Sequence, residues 1–176
     1  MNKAVDFISR TAILLAVTVL LQSLRLFLPV PSLVDQYVIG SLVNLCLIVA
    51  AVLIGIEGGL IVAILTPVIA FLQNALPNPV MVPFVALGNA TIVVLVAVLY
   101  RKNKYAALAA GALCKFLVLY VTVVHVAIPL FMPNTPLPAK ELMTLKFSWP
   151  QLITASIGGM LALLVLPALE RALKRR

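Results

Sequence analysis

Charge is what this sequence has least of. Only 10% of its 176 residues are Asp, Glu, Lys or Arg, against ~25% in an ordinary soluble protein. With 64% hydrophobic residues and a mean hydropathy of +1.19, the chain has too little polar surface to fold as a soluble domain. A single histidine and two cysteines are too few for a metal site of familiar spacing. Cys46 and Cys114 both fall inside apolar runs, where a thiol packs as a small hydrophobe. The sequence lacks a Walker-type glycine loop, G-x-x-x-x-G-K-[ST], so it has no phosphate cradle for nucleotide hydrolysis. It also lacks a carboxylate–histidine set or nucleophile–base pair at membrane depth, which argues against an intramembrane enzyme. No cofactor is implied. The net charge of +8 invites a nucleic-acid reading, but the basic residues stand beside the ends of apolar runs, the pattern of membrane topology.

The apolar runs themselves are plentiful. Residues 11–28 come first, ~18 residues that at ~1.5 Å each cross most of a ~30 Å hydrocarbon core. The run exceeds the ~7–15 residues of a signal-peptide core and has no small-x-small cleavage site after it, so it reads as a retained helix. Pro29-Val30-Pro31-Ser32 breaks it, and residues 33–36 read as a polar turn. Further runs follow at 37–54, 60–72 with a kink at Pro67, 80–100, 105–128 and 147–169. Between them lie a glycine turn at 55–59, a Pro/Asn turn at 76–79, a basic loop at 101–104 and a long polar stretch at 131–146. That last stretch could hold a short helix over 139–144. The sequence therefore predicts one integral-membrane domain over 1–176, an all-α bundle of six transmembrane helices. Lys3, Arg10, Arg101, Lys102, Lys104, Arg171, Lys174, Arg175 and Arg176 share the side of the termini, and only Arg25, Lys140 and Lys146 lie on the other. That asymmetry places both termini in the cytoplasm.

The first helix has two faces. At ~100° per residue, Ser9, Ala12, Ala16 and Ser23 fall together, and Thr11, Thr18, Gln22 and Arg25 cluster roughly 140° away. Small residues let a second helix approach closely in lipid, so Ala12 and Ala16 are the expected docking positions for a partner. Polar residues avoid lipid, so the other face should line an interior. Other polar residues gather in the outer half of the membrane: Asn44, Asn74 beside Gln73, Asn89, His125 and Gln151. Lys115 is the deepest, roughly 15 Å from the inner end of its helix at ~1.5 Å per residue. Lys115, Leu119 and Thr122 share a face, with His125 some 80° round at ~100° per step. Trp149 lies opposite Gln151, as an interfacial belt residue would.

A charge at mid-bilayer costs ~2.5–3.5 kcal/mol on insertion scales, and no intramembrane carboxylate exists to pair with Lys115. Its ammonium calls for carbonyls, water or an anionic ligand. Gln22, Arg25, Asn44, Asn74, Asn89, Lys115, His125 and Gln151 are thus the candidate substrate-binding set, around a pocket opening to the exterior. Lys115 and Arg25 point to an anionic compound, and the amides to a heterocycle with several donors and acceptors. The alternative is a membrane scaffold or assembly subunit without a small ligand, in which the amides bond across helices and hold the bundle together.

With these residues in view, the whole chain resembles a substrate-binding S-component of the energy-coupling factor (ECF) transporters, the vitamin-uptake systems of prokaryotes. The resemblance rests on its size, six helices, basic C-terminus, the Ala12-x-x-x-Ala16 motif, the glycine turn at 55–59, the Pro/Asn turn before the fourth helix and the long loop before the sixth. It implies a multi-pass plasma-membrane subunit that binds a small vitamin-like molecule and hydrolyses nothing. It also implies, as partners, an energy-coupling transmembrane subunit docked on Ala12 and Ala16 and two ATP-binding-cassette ATPases.

Overall fold

The computed structural model describes residues 3–27 and 32–174 and contains no strand among them. Its helices are α1 (Lys3–Ser23), prolonged by a 3-10 turn (Leu24–Leu26), then α2 (Ser32–Leu53), α3 (Ile56–Leu72) and α4 (Met81–Leu99). A fifth span is composite: α5 (Lys104–Leu119), a π-helix (Tyr120–Ala127) and α6 (Ile128–Phe131). The short α7 (Leu137–Lys146) and the long α8 (Trp149–Lys174) complete the chain. The expected break at Pro29-Val30-Pro31 and the last two arginines lie outside the described residues. Among the described residues, five spans are long and apolar enough to cross a membrane, and α3, with 17 residues, is the short one. At ~1.5 Å per residue it is ~25 Å long, near the lower limit for a ~30 Å core.

Three boundaries differ from those read in the sequence. Residues 33–36 are not a turn: α2 is already helical from Ser32, with Asp35 in its first turn, where a carboxylate complements the positive end of the helix dipole. Only Gly55 makes the turn expected across 55–59. Its φ of +97° suits glycine alone, and α3 starts at the next residue with Glu57 in its first turn. α7 extends beyond the 139–144 helix, to ten residues. Just past α3 the chain turns at Asn74, whose φ of 57° lies in the left-handed region that asparagine tolerates. The Ala75 N–H then reaches back to the Ala70 carbonyl at 2.9 Å, closing the helix end.

α2 is the hub of the bundle, packing against α1, α3, α4 and α8. Leu47, Ile48 and Ala50 from α2 meet Val62 and Ala63 from α3, Ile92, Val93 and Val96 from α4, and Ala162 and Leu166 from α8 in one buried core. α1 lies against α2 and α3 and is the least buried of the long spans. Its two faces separate as the 3.6-residue period requires. Thr11, Thr18 and Gln22 are buried, and Ser9, Ala12 and Ala16 are exposed. Ser23 departs from the small face, since its hydroxyl accepts a 2.8 Å hydrogen bond from Nε2 of Gln73, the residue that caps α3. At the opposite end of the bundle, Glu170 of α8 joins residues 100–105 around a shallow hollow. The C-terminal part of α8 and the basic loop thus share one side. Asn103 caps α5 there, its side chain accepting from the Tyr105 and Ala106 amides.

Candidate functional site

Two close helix crossings set up the site. Gly158 of α8 lets α2 approach so near that a Cβ at this position would stand 2.6 Å from Asn44 Cβ and 2.9 Å from the Ser41 carbonyl. Gly88 of α4 does the same for Leu119 of α5, 2.5 Å from its would-be Cβ. Asn44 and Asn89 therefore come close enough to α5 for one lysine to reach both.

Lys115 is 4% exposed. Its Nζ donates to Asn44 Oδ1 at 2.6 Å and to Asn89 Oδ1 at 2.7 Å. The surroundings fix which way these amides face. Thr154 and Thr66 hydroxyls donate to the carbonyls of Gln151 and Val62, so their oxygens accept from Asn44 Nδ2 (3.4 Å) and Asn89 Nδ2 (3.3 Å). Asn44 Nδ2 also donates to the Gly40 carbonyl at 2.9 Å. Asn89 Nδ2 reaches the Ala63 carbonyl at 3.4 Å, an acceptor left open because Pro67, four residues on, has no N–H to fill it. Both amide oxygens are thereby aimed at the ammonium. They satisfy two of its three protons and neutralise none of its charge.

Lys115 lies at the floor of a cavity of about 310 Å³, within the range of small-molecule sites. Gln22, Arg25, Asn44, Asn74, Asn89, Lys115 and Gln151 all line it. His125 does not: it is exposed and packs edge-on against Tyr120, ring centroids 5.0 Å apart. The cause is the π-helix. Lys115, Leu119, Val123 and Ala127 are all buried, a spacing of four that would drift ~40° per step on a straight α-helix. The wider i→i+5 ring advances less per residue, which keeps that row aligned and carries His125 to the far face. Trp149 is outside the cavity too, half exposed and tilted against Tyr37.

The mouth lies at the end of the bundle that carries α7 and the α3–α4 connection. Ala139, Met143 and Lys146 of α7, with Phe147, close over it from one side. Arg25 Nε donates to the Gln22 carbonyl at 3.0 Å, and its Nη1 is 3.9 Å from Asp35 Oδ2. Gln36 Nε2 and Gln151 Nε2 both donate to the Lys146 carbonyl, at 2.6 and 3.0 Å. Gln22 Nε2 bridges to the Thr66 carbonyl and to Gln73 Oε1, tying α1 to α3. Among the described residues lining the cavity, Asp35 is the one carboxylate.

Sequence reasoning missed Asp35, Gln36, Thr66, Lys146 and Phe147. A signal for Gln36 was present: Gln36, Gly40, Val43 and Asn44 follow i, i+4, i+7, i+8 along one helical face, hidden because 33–36 read as a turn. The Asn44 and Asn89 amides are engaged with Lys115 and with helix carbonyls.

A family model described as "ECF transporter, substrate-specific component" matches residues 6–170. Comparison with curated proteins and with solved structures finds no match.

Proposed function

The chain belongs to the substrate-specific components of ECF transporters, and on that premise we propose that the Lys115 cavity captures a small water-soluble vitamin or vitamin precursor from outside the cell. An energy-coupling transmembrane subunit and two ABC ATPases would then drive its import. Membership makes the chain a multi-pass membrane subunit of a transporter, one that works with an energy-coupling module. In this reading both termini and the 101–104 loop are cytoplasmic, and the cavity mouth, at the other end, faces outward. One observation carries the proposal: a buried cation at the floor of the cavity, oriented by two neutral oxygens and free of any carboxylate among the described residues. A structural lysine at that depth would be expected to sit against an acid.

Protein purified in detergent should carry one small compound per chain, recoverable on denaturation and identifiable by mass spectrometry. Preparations that carry no compound and bind no vitamin-type molecule would overturn the proposal and favour a scaffold.

The partner would dock on the exposed Ser9–Ala12–Ala16 face of α1. Association in lipid depends on close packing, and a bulky side chain there holds a partner helix several Å off. Ala16→Trp should lower co-purification of the coupling module several-fold and leave ligand binding by the isolated subunit intact, because Ala16 faces away from Gln22. Loss of both together would refute the separation of the two faces.

A further inference from the structure

The cavity is chemically polarised, and its two ends ask for different groups. At the floor, Lys115 presents the remaining N–H of an ammonium, while the nearby Asn44 and Asn89 oxygens are already taken up by Lys115 itself. The floor offers a positive donor and no acceptor from this trio, so it favours an anion. At the mouth the cations Arg25 and Lys146 line the cavity beside Asp35, with Arg25 already turned to Asp35 Oδ2 and the Gln22 carbonyl, and unfilled acceptors are present as well. Asp35 Oδ1 and Gln36 Oε1 are buried acceptors without a hydrogen-bond partner among the described residues, and both residues line the cavity. The other atoms of these side chains are engaged. Asp35 Oδ2 faces Arg25, and Gln36 Nε2 is bonded to the Lys146 carbonyl. Buried acceptors left unsatisfied are costly, so a ligand is favoured here if it brings donors. A carboxylate at the mouth would set its oxygens against two unfilled acceptors. A hydroxyl or amide N–H fills them.

α2 sets the separation of the two ends. Gln36 and Asn44, eight residues apart, are ~12 Å apart along the helix at ~1.5 Å per residue.

Resting on the transport reading above, we infer that the cavity takes an elongated, singly charged carboxylic acid. Its carboxylate sits on Lys115, and a hydroxyl or amide donor at its far end meets Asp35 and Gln36. The acid end enters first and the donor end is read at the mouth. Asp35 and Gln36 are thereby specificity residues for the donor end, and Lys115 the anchor of the anion.

The test uses the full chain in detergent and four six-carbon probes, with binding measured by calorimetry at constant pH: ω-hydroxyhexanoate, hexanoate, adipate and hexanediol. ω-Hydroxyhexanoate should bind best. Hexanoate, lacking the donor, and adipate, with an acceptor in its place, should each bind roughly tenfold more weakly, the equivalent of one hydrogen bond to a charged or buried group. Hexanediol should show no saturable binding. Gln36→Leu combined with Asp35→Leu should bring the ratio of ω-hydroxyhexanoate affinity to hexanoate affinity close to one. Adipate binding as well as the hydroxy acid, hexanediol binding as well as either, a preference that survives the double substitution, or no binding by any probe would each overturn the inference. The transport reading is judged separately, by whether the wild-type chain co-purifies with an energy-coupling module and carries a compound of another class.

Discussion

Lys115→Met should lower affinity for the compound recovered from wild-type protein ten- to a hundredfold, the ~1.5–3 kcal/mol of a charge-assisted hydrogen bond. Its effect on the unliganded bundle should be small, because two opposing consequences are of similar size. Removing the ammonium relieves a desolvation penalty of several kcal/mol, on the order of that paid by any buried ion. It also strips Asn44 Oδ1 and Asn89 Oδ1 of their donor, at ~1–3 kcal/mol for each oxygen left unsatisfied. Methionine retains the length and apolar bulk that fill the space between α2, α4 and α5. Melting temperature and dissociation constant, measured on one preparation with and without compound, separate the roles of Lys115. A site role gives a near-wild-type melting temperature and loss of the stabilisation that the compound confers. A lowered melting temperature with wild-type affinity would remove Lys115 from the site.

The polar interior was legible because it rests on simple physics. Polar side chains in lipid turn inward, and a ~100° step sorts them onto faces. That is why Gln22, Asn44, Asn89 and Lys115 could be placed on one interior before any coordinates. Two features were not legible. The π-helix over Tyr120–Ala127 changes the angular step itself, so no count of residues at the α-helical period could have put His125 on the outside. The start of α2 was hidden for a different reason. Asp35 and Gln36 follow a proline pair, and polarity next to proline signals a turn as readily as the first turn of a helix. The error in boundary became an error in chemistry, since these two residues supply the unfilled acceptors at the mouth. The orientation of the amides was beyond the sequence as well. It depends on a carbonyl released by Pro67 and on hydroxyls whose protons are already directed elsewhere, a network that needs four helices in place.

The adjacent glycines of α8 offer the most direct test of how packing creates the site. At Gly159 a Cβ would meet Leu108 Cβ at 3.5 Å, an ordinary van der Waals contact. Gly159→Ala should therefore be neutral or stabilising by up to ~1 kcal/mol, the gain in helix propensity over glycine. At Gly158 the same methyl would stand 2.6 Å from Asn44 Cβ, with the Leu45 amide nitrogen and Ser41 carbonyl oxygen each at 2.9 Å. Two of these three obstacles are backbone and cannot rotate away, so α2 and α8 must move apart. Overpacking of this kind costs ~1–3 kcal/mol, against the same propensity gain. Gly158→Ala should thus melt below wild type and Gly158→Val well below it. The displacement also carries Asn44 away from Thr154, and with it one of the two oxygens that hold Lys115. Affinity should therefore fall alongside stability in the Gly158 variants and in neither respect for Gly159→Ala. Equal behaviour of the two alanine variants, or a Gly158 variant that loses stability and keeps full affinity, would show that the α2–α8 crossing does not position Asn44 for the site.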